Sequence, residues 1–226
     1  MDIQLHYHEQ GQGFPLILLH GNGENCSYFY EQVSYFARQY RVIAVDTRGH
    51  GLSPRGTAPF TIRQFAEDLY RLMNRLGLEK AHILGFSDGG NIALCFALAH
   101  PDRVERLIVN GANLYPLGVK WKDQWDITKE YYATKKAAKQ RPELWADAEL
   151  LGLMVHDPYI SPMSLRRLRM PVLVIAGTED VIRTGHTKFM ARCLPNSRLV
   201  LIEGDHFIAA NRSEAFNAAV DAFLRE

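Results

Sequence analysis

A serine, an aspartate and a histidine carry the chemistry open to this chain: Ser87, Asp180 and His206. A serine hydroxyl is a poor nucleophile until a base takes its proton during attack. His206 is the candidate base. Asp180 is the candidate carboxylate that orients the ring and stabilises the imidazolium. Ser87 lies in Gly85-Phe86-Ser87-Asp88-Gly89, after the apolar run Ala81-His82-Ile83-Leu84 and before a helical stretch, Asn91 to Ala99. That context fits a nucleophile elbow. A sharp strand-to-helix turn strains its central residue, and side chains at the flanking positions would clash, which explains the two glycines. The turn sets the hydroxyl at the positive end of a helix.

Charge developing on a carbonyl oxygen needs fixed donors, and the backbone N–H of Asp88 is one candidate. The Asp88 side chain has two readings. It is a first-turn carboxylate stabilised by the helix dipole, worth about 0.3–1 kcal/mol, or it attracts a substrate ammonium, as in an amino-acid ester. Glu179, Asp205 and Asp157 are rivals to Asp180. Asp205 directly precedes the histidine and would point away from it. Asp46 and Arg48 read as a structural pair that braces loops.

The elements that must position these groups alternate. Ile3 to His8 alternates apolar and polar residues like a half-buried strand. Pro15 to Leu19, Arg41 to Val45, Val104 to Val109 and Pro171 to Ala176 are apolar runs of the kind buried in parallel sheets, and Arg198 to Ile202 is the last strand. Helices are expected from Ser27 to Gln39, Thr61 to Leu76, Thr187 to Cys193 and Glu214 to Leu224, with Thr61 as an N-cap and Gly77 as a stop. Strand–helix alternation marks a doubly wound, mostly parallel α/β sheet, whose functional groups gather at the carboxyl ends of its strands. Between Tyr115 and Leu168 the rhythm breaks, with helices expected over Ile127–Ala138 and Glu143–Val155. This stretch, 115–168, is read as a small helical cap on a core formed by 1–114 and 169–226.

At 226 residues and 47% apolar content, the chain suits one domain with a full core. A net charge of +1 without a basic run argues against a nucleic-acid surface. Cys26, Cys95 and Cys193 are an odd, scattered set without metal-ligand spacing. The start lacks the pattern of a signal peptide, and no apolar run is long enough to span a bilayer. A cytoplasmic protein acting on a small molecule, without a membrane partner, is expected; oligomeric state stays open.

The motifs His20-Gly21-Asn22-Gly23, Asp46 to Ser53, Gly85 to Gly90, Asp180 and His206 together resemble the α/β-hydrolase superfamily over nearly the whole chain outside the insertion. Ser-Asp-Gly-Gly followed by Asn110-Gly111-Ala112-Asn113 is similar to the biphenyl-hydrolase-like esterases, a group that includes a valacyclovir hydrolase. The resemblance implies a Ser-His-Asp triad of Ser87, His206 and Asp180, and an oxyanion hole from the backbone N–H groups of Asn22 and Asp88. It also implies that His20 and His50 tie loops together, and that no metal or organic cofactor is used. With room for only one strand before Pro15, about seven strands are expected, the first of the usual plan being absent. Tyr115, Trp121, Trp125 and Trp145, with Tyr131 and Tyr132, are the expected pocket lining above Ser87, for a small or medium substrate. The leading expectation is a serine esterase working through an acyl-serine. The alternatives are C–C, amide or lactone hydrolysis by the same triad, and a hydrolase-fold receptor without turnover. A dehalogenase would need a carboxylate where Ser87 stands.

Overall fold

The continuous apolar runs become the interior of one sheet. The computed structural model describes residues 2–226. In chain order the elements are β1 (Tyr7–Gln10), β2 (Phe14–Leu19), α1 (Tyr30–Phe36), β3 (Tyr40–Val45), α2 (Ile62–Arg75), β4 (Ala81–Phe86), α3 (Asp88–Ala99) and β5 (Val104–Asn110). There follow α4 (Trp121–Ala138), α5 (Trp145–His156), α6 (Pro162–Leu165), β6 (Val172–Gly177), α7 (Thr184–Cys193), β7 (Ser197–Ile202), α8 (Ile208–Asn211) and α9 (Ser213–Leu224). The sheet order is β1-β3-β2-β4-β5-β6-β7, with β1 antiparallel to β3 and every other pairing parallel. This is an α/β-hydrolase fold.

Period-2 alternation sends successive strand residues to opposite faces. Ile17, Ile43, Ile83, Val109 and Val174 pack with Phe65, Leu69 and Met73 of α2, Phe96 of α3 and Met190 of α7. Leu16, Leu18, Val42, Leu84 and Ile108 pack on the other face with Val33 and Phe36 of α1 and Phe216, Val220 and Phe223 of α9. Every residue of β4 and β6 is buried, as strands covered on both faces must be. Thr61 caps α2 by accepting the Gln64 N–H at 3.2 Å, and Gly77 takes a left-handed φ of +65° beyond its end.

Several expected boundaries move: α1 runs Tyr30–Phe36 rather than Ser27–Gln39, α7 starts at Thr184 rather than Thr187, and two further shifts have a visible cause. The first strand pairs over Tyr7–Gln10 rather than starting at Ile3. The His6 backbone is engaged by loops instead of a strand: its N–H donates to Ser53 Oγ at 2.8 Å, and its carbonyl accepts from the Asp46 N–H at 3.0 Å. In the β5–β6 connection, α4 starts six residues before Ile127. Only Tyr131 and Ala138 are buried on this helix, so its apolar periodicity is too weak to mark the start. The Lys120 N–H bonds the Val181 carbonyl at 2.8 Å and anchors that end to the β6–α7 loop. Among the described residues, no helix is long and apolar enough to cross a membrane.

Candidate active site

Ser87 stands between β4 and α3 with φ 53° and ψ −119°, a left-handed geometry for a residue with a side chain. The neighbouring glycines permit it by close approach. A Cβ on Gly85 would lie 2.1 Å from the Gly89 carbonyl oxygen, and one on Gly89 would lie 2.0 Å from that of Leu19. The Ser87 N–H bonds the Asn110 carbonyl at 2.8 Å, and the Ser87 carbonyl accepts from Gly90 and Asn91. The backbone is thereby held, and the hydroxyl makes no capping bond to its own helix.

That hydroxyl meets His206. Ser87 Oγ is 3.0 Å from His206 Nε2, and His206 Nδ1 is 2.7 Å from Asp180 Oδ1. With the ring proton on Nδ1, the imidazole donates to Asp180 and accepts from Ser87. Asp180 Oδ1 also accepts the Ile182 N–H at 2.8 Å, which fixes the carboxylate. Two of the three rivals lie elsewhere, while Asp157 faces the same cavity as Ser87 without a hydrogen bond to His206. Glu179 is exposed, and Asp205 accepts the Phe207 N–H at 2.8 Å and binds Asn211. The three side chains come from the ends of β4, β6 and β7, as the topology of a parallel sheet requires.

Beside Ser87 opens a cavity of about 240 Å³. Asn22 and Asp88 both line it. As the first residue of α3, Asp88 has a backbone N–H without an intrahelical acceptor. The Asn22 side chain donates to Asp88 Oδ2 at 2.9 Å and to the Leu150 carbonyl of α5 at 3.0 Å. Asn91 donates to Asp88 Oδ1 at 3.3 Å and to Asn113 Oδ1 at 3.2 Å. Asp88 is therefore a buried carboxylate held by neutral amides, and burial pushes its carboxyl above the usual range, with Asp157 adding to the effect.

The rest of the wall departs from expectation. Val119, Asp123, Ile127 and Met154 line the cavity from the helical segment, with Phe86, Val181, Ile182 and Phe207 from the core. The expected aromatic residues are not brought there. Trp121 and Trp125 stack on each other at 6.0 Å and are 75% and 51% exposed, because they fall on the outer face of α4. Trp145 and Tyr131 line a separate groove with Phe60 and Lys135. Tyr115 packs edge-on against His186 at 4.8 Å, and Tyr132 is exposed. In their place stand three further acids, Glu24 and Asp123, which were missed, and Asp157, which was considered only as a rival to Asp180, so that four carboxylates and no lysine or arginine line the cavity among the described residues. Burial pushes the Glu24 and Asp157 carboxyls up as well. Glu24 follows the His20–Gly23 loop directly, a positional signal that could have found it. Asp123 carried none.

The loop histidines are structural. His20 donates from Nδ1 to the Gly21 carbonyl at 2.7 Å and accepts the Thr47 N–H at Nε2 at 3.0 Å. Burial holds its imidazole down at about 4. His50 Nδ1 lies 2.9 Å from the Arg48 carbonyl. Asp46 and Arg48 do not pair as expected. Arg48 makes a two-pronged bond to Asp68 at 2.7 and 2.8 Å and reaches Asp2, while Asp46 accepts the Cys26 and Leu52 N–H groups at 2.7 and 2.9 Å. Arg48 turns toward α2, whose Asp68 offers both oxygens in the plane of the guanidinium.

Comparison with known proteins agrees with this architecture. The family model described as alpha/beta hydrolase fold matches residues 15–141. The 3-oxoadipate enol-lactonase 2 of Acinetobacter baylyi is 30% identical over 251 residues, covering 99% of this chain and 94% of its own. Serine hydrolase BPHL of Homo sapiens is 29% identical over 245 residues, covering 99% and 84%, which agrees with the biphenyl-hydrolase-like likeness. The crystal structure of the enol-lactonase from Burkholderia xenovorans LB400 matches with a TM-score of 0.82 over 99% of this chain and 97% of that one. At 23% identity that match speaks to the fold.

Proposed function

This chain is a hydrolase belonging to the α/β-hydrolase family, and from that premise we propose that it cleaves small carboxylic esters through an acyl-serine intermediate. The observation that carries the reading is the hydrogen-bonded row Asp180–His206–Ser87 opening onto the cavity. Ser87 Oγ attacks the ester carbonyl carbon as its proton passes to His206 Nε2. Asp180 steadies the imidazolium. The backbone N–H groups of Asn22 and Asp88 receive the oxyanion. The intermediate collapses, and the alcohol leaves with the proton from His206. Water then attacks the acyl-serine with His206 again as base, and the acid departs.

The segment 115–168 is read as a cap, supported by Val119, Asp123, Ile127 and Met154 in the cavity wall. The cavity volume favours a small or medium acyl group. Its four carboxylates disfavour anionic substrates and favour an amino-acid-type ester whose ammonium faces Asp88. A second reading, hydrolysis of a lactone, is favoured by the enol-lactonase of Acinetobacter baylyi and needs only a cyclic ester in the same attack. The free thiols of Cys26, Cys95 and Cys193 fit a reducing compartment, so a cytoplasmic location completes the reading.

A fluorophosphonate probe tests the chemistry. Covalent modification at Ser87, absent in Ser87→Ala, supports the enzyme; folded protein that resists labelling returns it to a binding role. A panel of esters, lactones, amides and dienones, varied in acyl charge, then ranks the bond types.

A further inference from the structure

Three side chains outside the catalytic cavity converge from distant parts of the chain. His6 precedes β1, Cys26 follows the loop that carries Asn22, and Asp46 follows β3. His6 Nδ1 is 2.8 Å from Asp46 Oδ2, and the Cys26 N–H donates to Asp46 Oδ1 at 2.7 Å. One nitrogen, one sulfur and one carboxylate oxygen lie within 4.8 Å of one another. We propose that His6, Cys26 and Asp46 form a binding site for a thiophilic divalent transition-metal ion, with zinc the best match to this donor set.

The chemistry of the donors selects the ion. Zinc takes imidazole, thiolate and carboxylate at about 2.0–2.3 Å in a tetrahedral arrangement, which sets the donors roughly 3.2–3.8 Å apart. The His6–Asp46 contact has only to open slightly and the widest separation to close by about 1 Å. Hard ions such as calcium and magnesium prefer all-oxygen sites and are disfavoured. The Asp46 side chain is 2% exposed and that of His6 is 40% exposed, so the site has a closed floor and an open side for entry. Asp46 is oriented from behind by the Cys26 and Leu52 N–H groups, the kind of outer support that metal-binding carboxylates require. On binding, the thiol proton leaves to solvent, the imidazole proton moves from Nδ1 to Nε2, and water takes the fourth position. Burial and Asp46 push the Cys26 thiol up to about 11, so a soft ion with real affinity for sulfur is needed to displace that proton. The ion would join the strand-β1 region, the β3 loop and the Asn22 loop.

Cobalt titration of the full chain, stripped with chelator, tests the site. One equivalent should bind with a thiolate-to-cobalt charge-transfer band, zinc should abolish the band, and Tm should rise with zinc. Cys26→Ser should remove the band, and His6→Ala should weaken binding by at least tenfold. In the unaltered protein, zinc should slow alkylation of Cys26 and leave Cys193 unprotected, a measurement that does not depend on a variant folding. Absence of the band, a band that survives Cys26→Ser, or alkylation of Cys26 unaffected by zinc would overturn the proposal.

Discussion

Two groups of acids in this molecule, each built around a buried one, differ in what surrounds them. Around Arg48, whose side chain is fully buried, Asp68 supplies two charge-assisted bonds and Asp2 a third. Around Ser87, the acids Asp88, Glu24 and Asp157 face a cavity that no lysine or arginine lines among the described residues, and burial raises the carboxyls of all three, with Arg63 acting against it at Asp157. A paired buried charge is satisfied within the fold, so its partner cannot be removed cheaply. An unpaired one costs the fold stability and is recovered only when a ligand arrives with the opposite charge. The first arrangement braces loops; the second is the one the proposed selection of a cationic substrate would use.

Substitutions can break this contrast, and the largest effect belongs to the chemistry. Ser87→Ala should lower ester turnover on the order of 10⁴-fold or more while Tm stays within a degree or two, as measured by p-nitrophenyl acetate hydrolysis and thermal unfolding. Comparable turnover in the variant would mean that another nucleophile acts. Arg48→Met should do the reverse. It strands Asp68 and should cost about 3–5 kcal/mol, lowering Tm by roughly 10 °C, while protein that remains folded keeps its turnover. A Tm within 2 °C of the parent would show that the pairing does not brace the loops.

Acidification sharpens the comparison next. Burial holds His20 at about 4 against an ordinary 6.5. Between those values the unfolded chain binds a proton that the folded chain refuses, so stability rises with pH across the window and is lost below it. His20 alone should account for roughly 3 kcal/mol between pH 7 and pH 4. His82 and His186, also lowered to about 4, act in the same direction. Urea unfolding at pH 4.5 and 7 checks this, and equal midpoints would contradict it. The smallest effect is the most selective. Asp88→Asn should lower kcat/KM for valyl esters by about 10- to 100-fold and leave valeryl esters nearly unchanged. Because the folded state holds the Asp88 proton more tightly than the unfolded chain, ionising it costs stability as pH rises, and the amide should raise Tm slightly at pH 7. Equal losses on both esters would remove Asp88 from cation selection.

The core was legible because burial on both faces leaves a direct trace. Leu16 to Leu19 and Val172 to Ala176 are uninterrupted apolar runs, and Gly85 and Gly89 mark a turn where any side chain would collide with backbone. The helical segment was not legible in the same way. Trp121 and Trp125 are large and apolar, yet they lie on the outside of α4, whereas Asp123 between them lines the cavity. Helical periodicity places residues on a face but does not say which face turns inward when the helix has few buried positions.

By itself, the amino-acid order determined the strands, the strained turn at Ser87 and the succession of serine, acid and histidine at strand ends. These depend on local sterics and on apolar runs that have nowhere to go but the core. The fold alone decided that Arg48 would choose Asp68 over Asp46, that acids rather than indoles would line the cavity, and that His6, Cys26 and Asp46 would meet. Those outcomes depend on how surfaces distant along the chain pack together, and a side chain's partner is set by that packing rather than by its neighbours in sequence.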